Sequence, residues 1–171
     1  MNIMFFELKS VLKLFLSLLI LVFTSMIMLQ SAWAMGNKVN YSYADLAHQD
    51  LSNQNFQGSV FAAANMQETN LHNSDLSESI FTEANLFKAN LKKANLSNAL
   101  LDKVTLDFAD LREAILVEAI ATRSRFYDAN ITAADFTDAI IDRYQVNLMC
   151  QRAKGINPIT HVDTRESLGC K

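Results

Sequence analysis

From Ala44 to Arg143 the chain repeats one five-residue pattern 20 times, and nothing else in it constrains the fold as tightly. Every fifth residue, beginning Leu46, Leu51, Phe56, Phe61 and ending Ile131, Phe136, Ile141, is bulky and apolar; Ala121 is the one exception. Two residues before each centre stands Ala, Ser or Thr at 17 of 20 positions, and directly before it Asn or Asp at 12. A period of five fits neither a helix at 3.6 nor a strand at 2.0, so the chain must turn a corner within every unit to regain its orientation. The product is an all-β solenoid of very short bridges. The centre and the small residue two before it point inward, and the remaining three positions point out. Asn and Asp suit corners, because their side chains bond nearby backbone and tolerate turn conformations. That reading accounts for 100 residues of turns with a single glycine, Gly58.

The units Ala84-Asn85-Leu86-Phe87-Lys88, Ala89-Asn90-Leu91-Lys92-Lys93 and Ala94-Asn95-Leu96-Ser97-Asn98 closely resemble the pentapeptide-repeat family, whose pattern is A(D/N)LXX. The resemblance covers about 100 residues. It implies a right-handed quadrilateral β-helix with four units per coil, hence about five coils and a column roughly 24 Å tall at ~4.8 Å per coil. The residues support four per coil independently. The position just before the centre is aliphatic at Val60, Ile80, Leu100, Ile120 and Ile140, spaced by 20, and elsewhere is a large aliphatic only at Ile115. At four units per coil these five side chains stack into one outer stripe, a candidate interface for a protein partner or a second copy.

Residues 1–34 read as an export signal: Lys9 and Lys13, an apolar run from Leu14 to Leu29, and Ala32-Trp33-Ala34, with cleavage expected after Ala34. A retained anchor is the competing reading; after cleavage no membrane segment remains. Residues 35–43 form a polar lead-in, with Tyr41 already in phase, and 44–143 form the β-helix. Copies through Phe61 are degenerate, with Gln49 and Gln54 where a small residue is expected, as terminal repeats often are.

Beyond Arg143 the period stops. Arg143 to Lys154 is expected to be a helix with Val146, Met149 and Cys150 on one face and Gly155 as its C-cap. Asp163-Thr164-Arg165-Glu166 reads as a capping box for a second short helix closed by Gly169. Cys150 and Cys170, the only cysteines of an exported chain, are expected to form a disulfide. Residues 144–171 would then be a stapled helical cap over the open end of the solenoid. The signal, the coils and a tail with Cys150, Gly155, Asn157-Pro158, Ser167-Leu168 and Cys170 resemble the thylakoid-lumen pentapeptide-repeat proteins of cyanobacteria and chloroplasts, implying a lumenal or periplasmic address.

The search for chemistry yields no catalytic, cofactor-binding or metal-binding residue. His48, His72 and His161 are scattered without spaced partners. The Asn/Asp row recurs throughout the array and is assigned to turns rather than to acid/base or calcium chemistry. Lys88, Lys92 and Lys93 form a small basic patch assigned to a solvated face. The expected function is a non-enzymatic interaction scaffold. The alternative is an acidic nucleic-acid mimic of the topoisomerase-protecting type, suggested by 8 Lys/Arg against 15 Asp/Glu in residues 44–143. Export and the mixed charges at Lys92, Lys93, Arg112, Arg123 and Arg125 count against it, and an acidic column is no nucleic-acid binder.

Overall fold

The computed structural model describes residues 38–171. The expected signal segment, its cleavage point after Ala34 and the first residues of the lead-in lie outside them. Parallel bridges join each residue just before a centre to the one 20 further on, as in Asn65 to Asn85 and Asn85 to Thr105. Four such ladders, running from Asn40, Asp45, Asp50 and Asn55, make the four sides of the column. One side lengthens into two-residue strands, β1 (Ile120–Ala121) and β2 (Ile140–Ile141), paired in register.

One unit shows why five residues suffice. Asn85 N–H donates back to Ala64 O at 3.0 Å, Leu86 N–H forward to Thr105 O at 2.8 Å and Lys88 N–H forward to Asp107 O at 3.0 Å. Ala89 N–H closes the corner onto Leu86 O at 3.0 Å, and Phe87 N–H is taken by the Asn85 side chain at 3.1 Å. Every amide in the unit has an acceptor, as a buried backbone requires. Ala84 and Leu86 are buried, Lys88 is exposed, and the pattern repeats along the column.

The corners depart from expectation in one respect. The motif's Asn and Asp lie on the flat sides, in the bridges; the left-handed residue of each corner is the second one after the centre. From Tyr43 to Asp138 that position has positive φ in every unit, yet it is most often Glu, Lys or another residue without special turn preference. Left-handed backbone costs an ordinary residue about 1 kcal/mol. The compensation is the inter-coil hydrogen bond that the strained residue donates, such as Lys93 N–H to Arg112 O at 2.9 Å.

The core is a set of four stacked columns. Tyr41, Phe61 and Phe81 stack face to face, with ring centroids 5.4 and 4.8 Å apart, so bridging begins inside the stretch read as lead-in. In the coil holding the undersized Ala121, Phe126 and Phe136 meet edge to face at 6.5 Å. Buried hydroxyls tie the degenerate first coil to the second: Thr69 donates to Leu46 O, Ser74 to Leu51 O and Ser79 to Phe56 O, at 2.7 to 2.8 Å.

After the last bridge come α1 (Arg143–Cys150) and α2 (Thr164–Ser167). The first helix is shorter than expected, with its C-cap at Gln151 rather than Gly155. The chain leaves the helix so that Arg152 can reach the column, where its guanidinium donates to Ala129 O at 3.0 Å and also to Phe126 O. Gly155, at φ +90°, sits against Ala133, whose nitrogen would lie 3.1 Å from an added Cβ. The buried face of α1 is Gln145 and Met149, one turn apart, and the Gln145 side-chain Oε1 accepts from Phe126 N–H at 3.1 Å. Asn157, fully buried, donates to Ala133 O at 2.9 Å and accepts from Ile159 N–H at 2.9 Å. Ser167 Oγ accepts from Phe136 N–H at 3.1 Å. Asp163 caps α2, accepting from the amides of Arg165 and Glu166; no return bond from the Glu166 side chain completes a capping box.

Candidate interaction face

Val60, Ile80, Leu100, Ile120 and Ile140 form consecutive rungs of one ladder, joined by parallel bridges. Each is carried on a flat side between two buried residues, or at Ile140 between the partly buried Ala139 and Ile141, so its side chain points outward. Exposure is uneven and greatest at the last rung: Val60 and Leu100 are half-buried, while Ile80, Ile120 and Ile140 are 37%, 40% and 56% exposed. The spacing of 20 therefore brings together all five residues singled out from sequence.

The two edges of this face differ in charge. Two residues before the rungs stand Glu78, Glu118 and Asp138, all exposed. Among the described residues, none of these three takes part in an ion pair. Beyond the rungs stand Lys103 and Arg123, interleaved with Glu83, Asp102 and Asp142, and Arg143 follows as the first residue of α1. Lys103 pairs with Glu83 and Arg123 with Asp102, each at 2.8 Å. A hydrogen bond from Thr122, aided by those from Arg123, holds the Asp102 carboxyl below the usual carboxylate range.

A second exposed cluster was missed by sequence reasoning. Phe87 and Phe108 meet edge to face at 5.6 Å on a different corner, with Lys88 over the Phe87 ring and Arg125 beside Tyr127. Arg125 also pairs with the buried Asp107 carboxylate. Separations of 21 and 19 residues between these aromatics are the signal that could have found them, since each is about one coil.

The other candidates disperse. His48 contacts Glu68 at 3.2 Å, and His161 occupies a left-handed turn. The three lysines form no common patch: Lys88 faces Glu68, whereas Lys92 and Lys93 share Glu113 at 3.8 and 3.6 Å. A corner of the column lies between the two groups. The Asn/Asp side chains run in ladders, as in Asp50, Asn70 and Asn90, each amide donating to the coil below. Cys150 and Cys170 are bonded, with Cα atoms 5.6 Å apart, joining the end of α1 to the segment after α2. Among the described residues there is no cluster of three metal-ligating side chains, and no helix is long and apolar enough to cross a membrane.

A family model described as pentapeptide repeats, in eight copies, matches residues 42–78, 79–116 and 105–143. Over 42 residues, 25% of the chain, the sequence is 57% identical to the thylakoid lumenal protein TL20.3, chloroplastic, of Arabidopsis thaliana; the match spans 15% of that protein. A solved pentapeptide repeat protein from the Arabidopsis thaliana thylakoid lumen is 32% identical, over 78% of this chain and 89% of that one, with a TM-score of 0.43. One from Nostoc Pcc 7120 is 22% identical over 70% and 94%, with a TM-score of 0.53, a likeness of fold. A plasmid-mediated fluoroquinolone resistance protein shares the fold at 20% identity over 66% and 69%, with a TM-score of 0.50.

Proposed function

The chain belongs to the pentapeptide-repeat family and so is built as a right-handed quadrilateral β-helix, and from that premise we propose that it is a non-enzymatic protein-interaction scaffold. It is an exported, lumenal protein, as its Arabidopsis relatives are. The observation that carries the reading is the aliphatic ladder from Val60 to Ile140, exposed on a column whose backbone is hydrogen-bonded coil to coil. A contiguous apolar strip costs a soluble protein hydration free energy and marks a contact surface. Five coils, from the bridge at Asn40 onward, hold the rungs at fixed spacing. The tail of residues 144–171, stapled by Cys150–Cys170, acts as the cap that keeps the column's end from pairing with other edges. Residues 1–34 serve as the export signal, removed after Ala34.

The nucleic-acid mimic is the weaker reading. A phosphate-like surface needs a continuous negative field, whereas ion pairs at Lys92, Lys93, Lys103, Arg112, Arg123 and Arg125 interrupt the acidic sides. The test is to change Ile80 and Leu100 together to Lys and recover lumenal proteins by crosslinking. The scaffold reading expects the folded double variant to lose its crosslinks; an unchanged set overturns it.

A further inference from the structure

We infer that the occupant of the aliphatic ladder is a second copy of this chain, docked side by side with both columns pointing the same way. The inference rests on the ladder being the interaction face and names what fills it. Its ground is the asymmetry of the two edges. One edge carries Glu78, Glu118 and Asp138 without a cation; on the other Arg123 stands outermost, 65% exposed against 15% for its partner Asp102, while Lys103 and Glu83 are 44% and 55% exposed.

Two copies can meet face to face about a two-fold axis in only two ways. An axis across the columns sets acidic edge against acidic edge. An axis parallel to the columns exchanges the edges while keeping each coil at its own height. Glu118 of one copy then faces Arg123 of the other, and Asp138 faces Arg143; symmetry repeats both pairs. Between them Ile120 and Ile140 meet their own counterparts at the end of the ladder where exposure is greatest. The level of Ile80 contributes less, because Glu78 meets Glu83 there, offset by the Lys103 already bonded to Glu83.

The size of the face sets the strength. Five rungs at ~4.8 Å and their edges cover about 400 Å² per copy, half the ~800 Å² of a standard interface, so the pairing is weak and half-complete at about 10 to 100 μM. Opposed charges then decide which copies pair and in which orientation.

The experiment is sedimentation velocity on the exported protein as recovered in soluble form, in low and high salt. The wild type is expected to shift from monomer to dimer through about 100 μM, and less so in high salt. Glu118→Lys/Asp138→Lys makes both edges basic, and Arg123→Glu/Arg143→Glu makes both acidic. Each variant alone should self-associate at least ~10-fold more weakly, and an equimolar mixture should regain the dimer. Circular dichroism checks that each variant is folded. Oxidised Ile140→Cys should crosslink to itself, which an antiparallel pair could not do. A monomeric wild type, a mixture of folded variants that fails to associate, or absence of the Ile140→Cys crosslink overturns the proposal. If the wild type is monomeric but Ile80→Lys/Leu100→Lys still loses its crosslinks to other proteins, the second copy falls and the interaction face stands. If those crosslinks are also unchanged, both fall.

Discussion

Position within the five-residue unit, more than residue type, decides what a substitution costs. Leu96 is fully buried at an inward centre, so Leu96→Ala should lower stability by about 2 to 5 kcal/mol in denaturant titration, through lost burial and a cavity. Lys93, outward, paired with Glu113 and left-handed at φ 62°, answers to backbone shape. Lys93→Ala should change stability by less than about 0.5 kcal/mol, while Lys93→Val should cost about 1 to 2 kcal/mol because a β-branched side chain crowds that conformation. Equal effects of the two would contradict the assignment. The constraint is legible in the sequence as an absence: no Val, Ile or Thr occupies the left-handed position in any unit from Tyr43 to Asp138. The frequency of Asn and Asp reflects their role on the flat sides, accepting the amide two residues on, and not a role at the left-handed corner. The carboxylates also carry a pH signature. Burial pushes the Asp110 carboxyl up, but the bonds from Arg112 outweigh it and hold the group low, and Asp50 and Asp102 are held low by hydroxyl and amide donors. Groups depressed in the folded state stabilise it fully above the unfolded carboxylate range. Melting temperature should therefore be insensitive to these groups from neutral pH down to about 4 and fall below it, as protonation removes the difference. Asp110→Asn should flatten part of that fall.

At the scale of the element, the tail was the least legible part. Periodicity gave the column directly, because one rule repeated 20 times averages out its exceptions. The tail has no repeat to average over, and a short apolar pattern overran the true end of α1. Arg152 and Asn157 leave regular structure to bond carbonyls of the coils beneath, and such long-range polar contacts leave no local pattern. Gln145 was missed for the same reason: a polar residue on the inward face reads as an error until its partner, the Phe126 amide, is known. Two predictions follow the contacts. Asn157→Ala leaves the Ala133 carbonyl and the Ile159 amide without their partner, and should cost about 2 to 3 kcal/mol. Cys150→Ser opens a loop with a sequence separation of 20. In the chain-entropy model that costs about 3 kcal/mol, and the tail should become protease-sensitive before the column's β signal is lost.

For the whole molecule the number that matters is the coil length. The aliphatic ladder could be read from sequence because its spacing equals that length, while the aromatic corner at Phe87, Phe108 and Tyr127 escaped by alternating between neighbouring positions of the turn. Each bridge joins residues 20 apart, so the chain behaves as a counter that reads position modulo 20. Excising residues 85–104 removes one full count: Ala84 joins Thr105, and Ile120 comes to rest on Ile80 with the ladder shortened but straight. Excising residues 90–94 removes a quarter count. Every residue beyond the cut then turns onto the next side, and Leu100, Ile120 and Ile140 stack above Asn55 and Asp75 instead of Val60 and Ile80. Both products keep the five-residue rule and both should show β-helix circular dichroism, but only the first should retain whatever the face binds. Lineages of such chains can thus gain or lose whole turns by unequal recombination without surrendering a surface, whereas a slip of a single repeat, though folded, deals the molecule a different one.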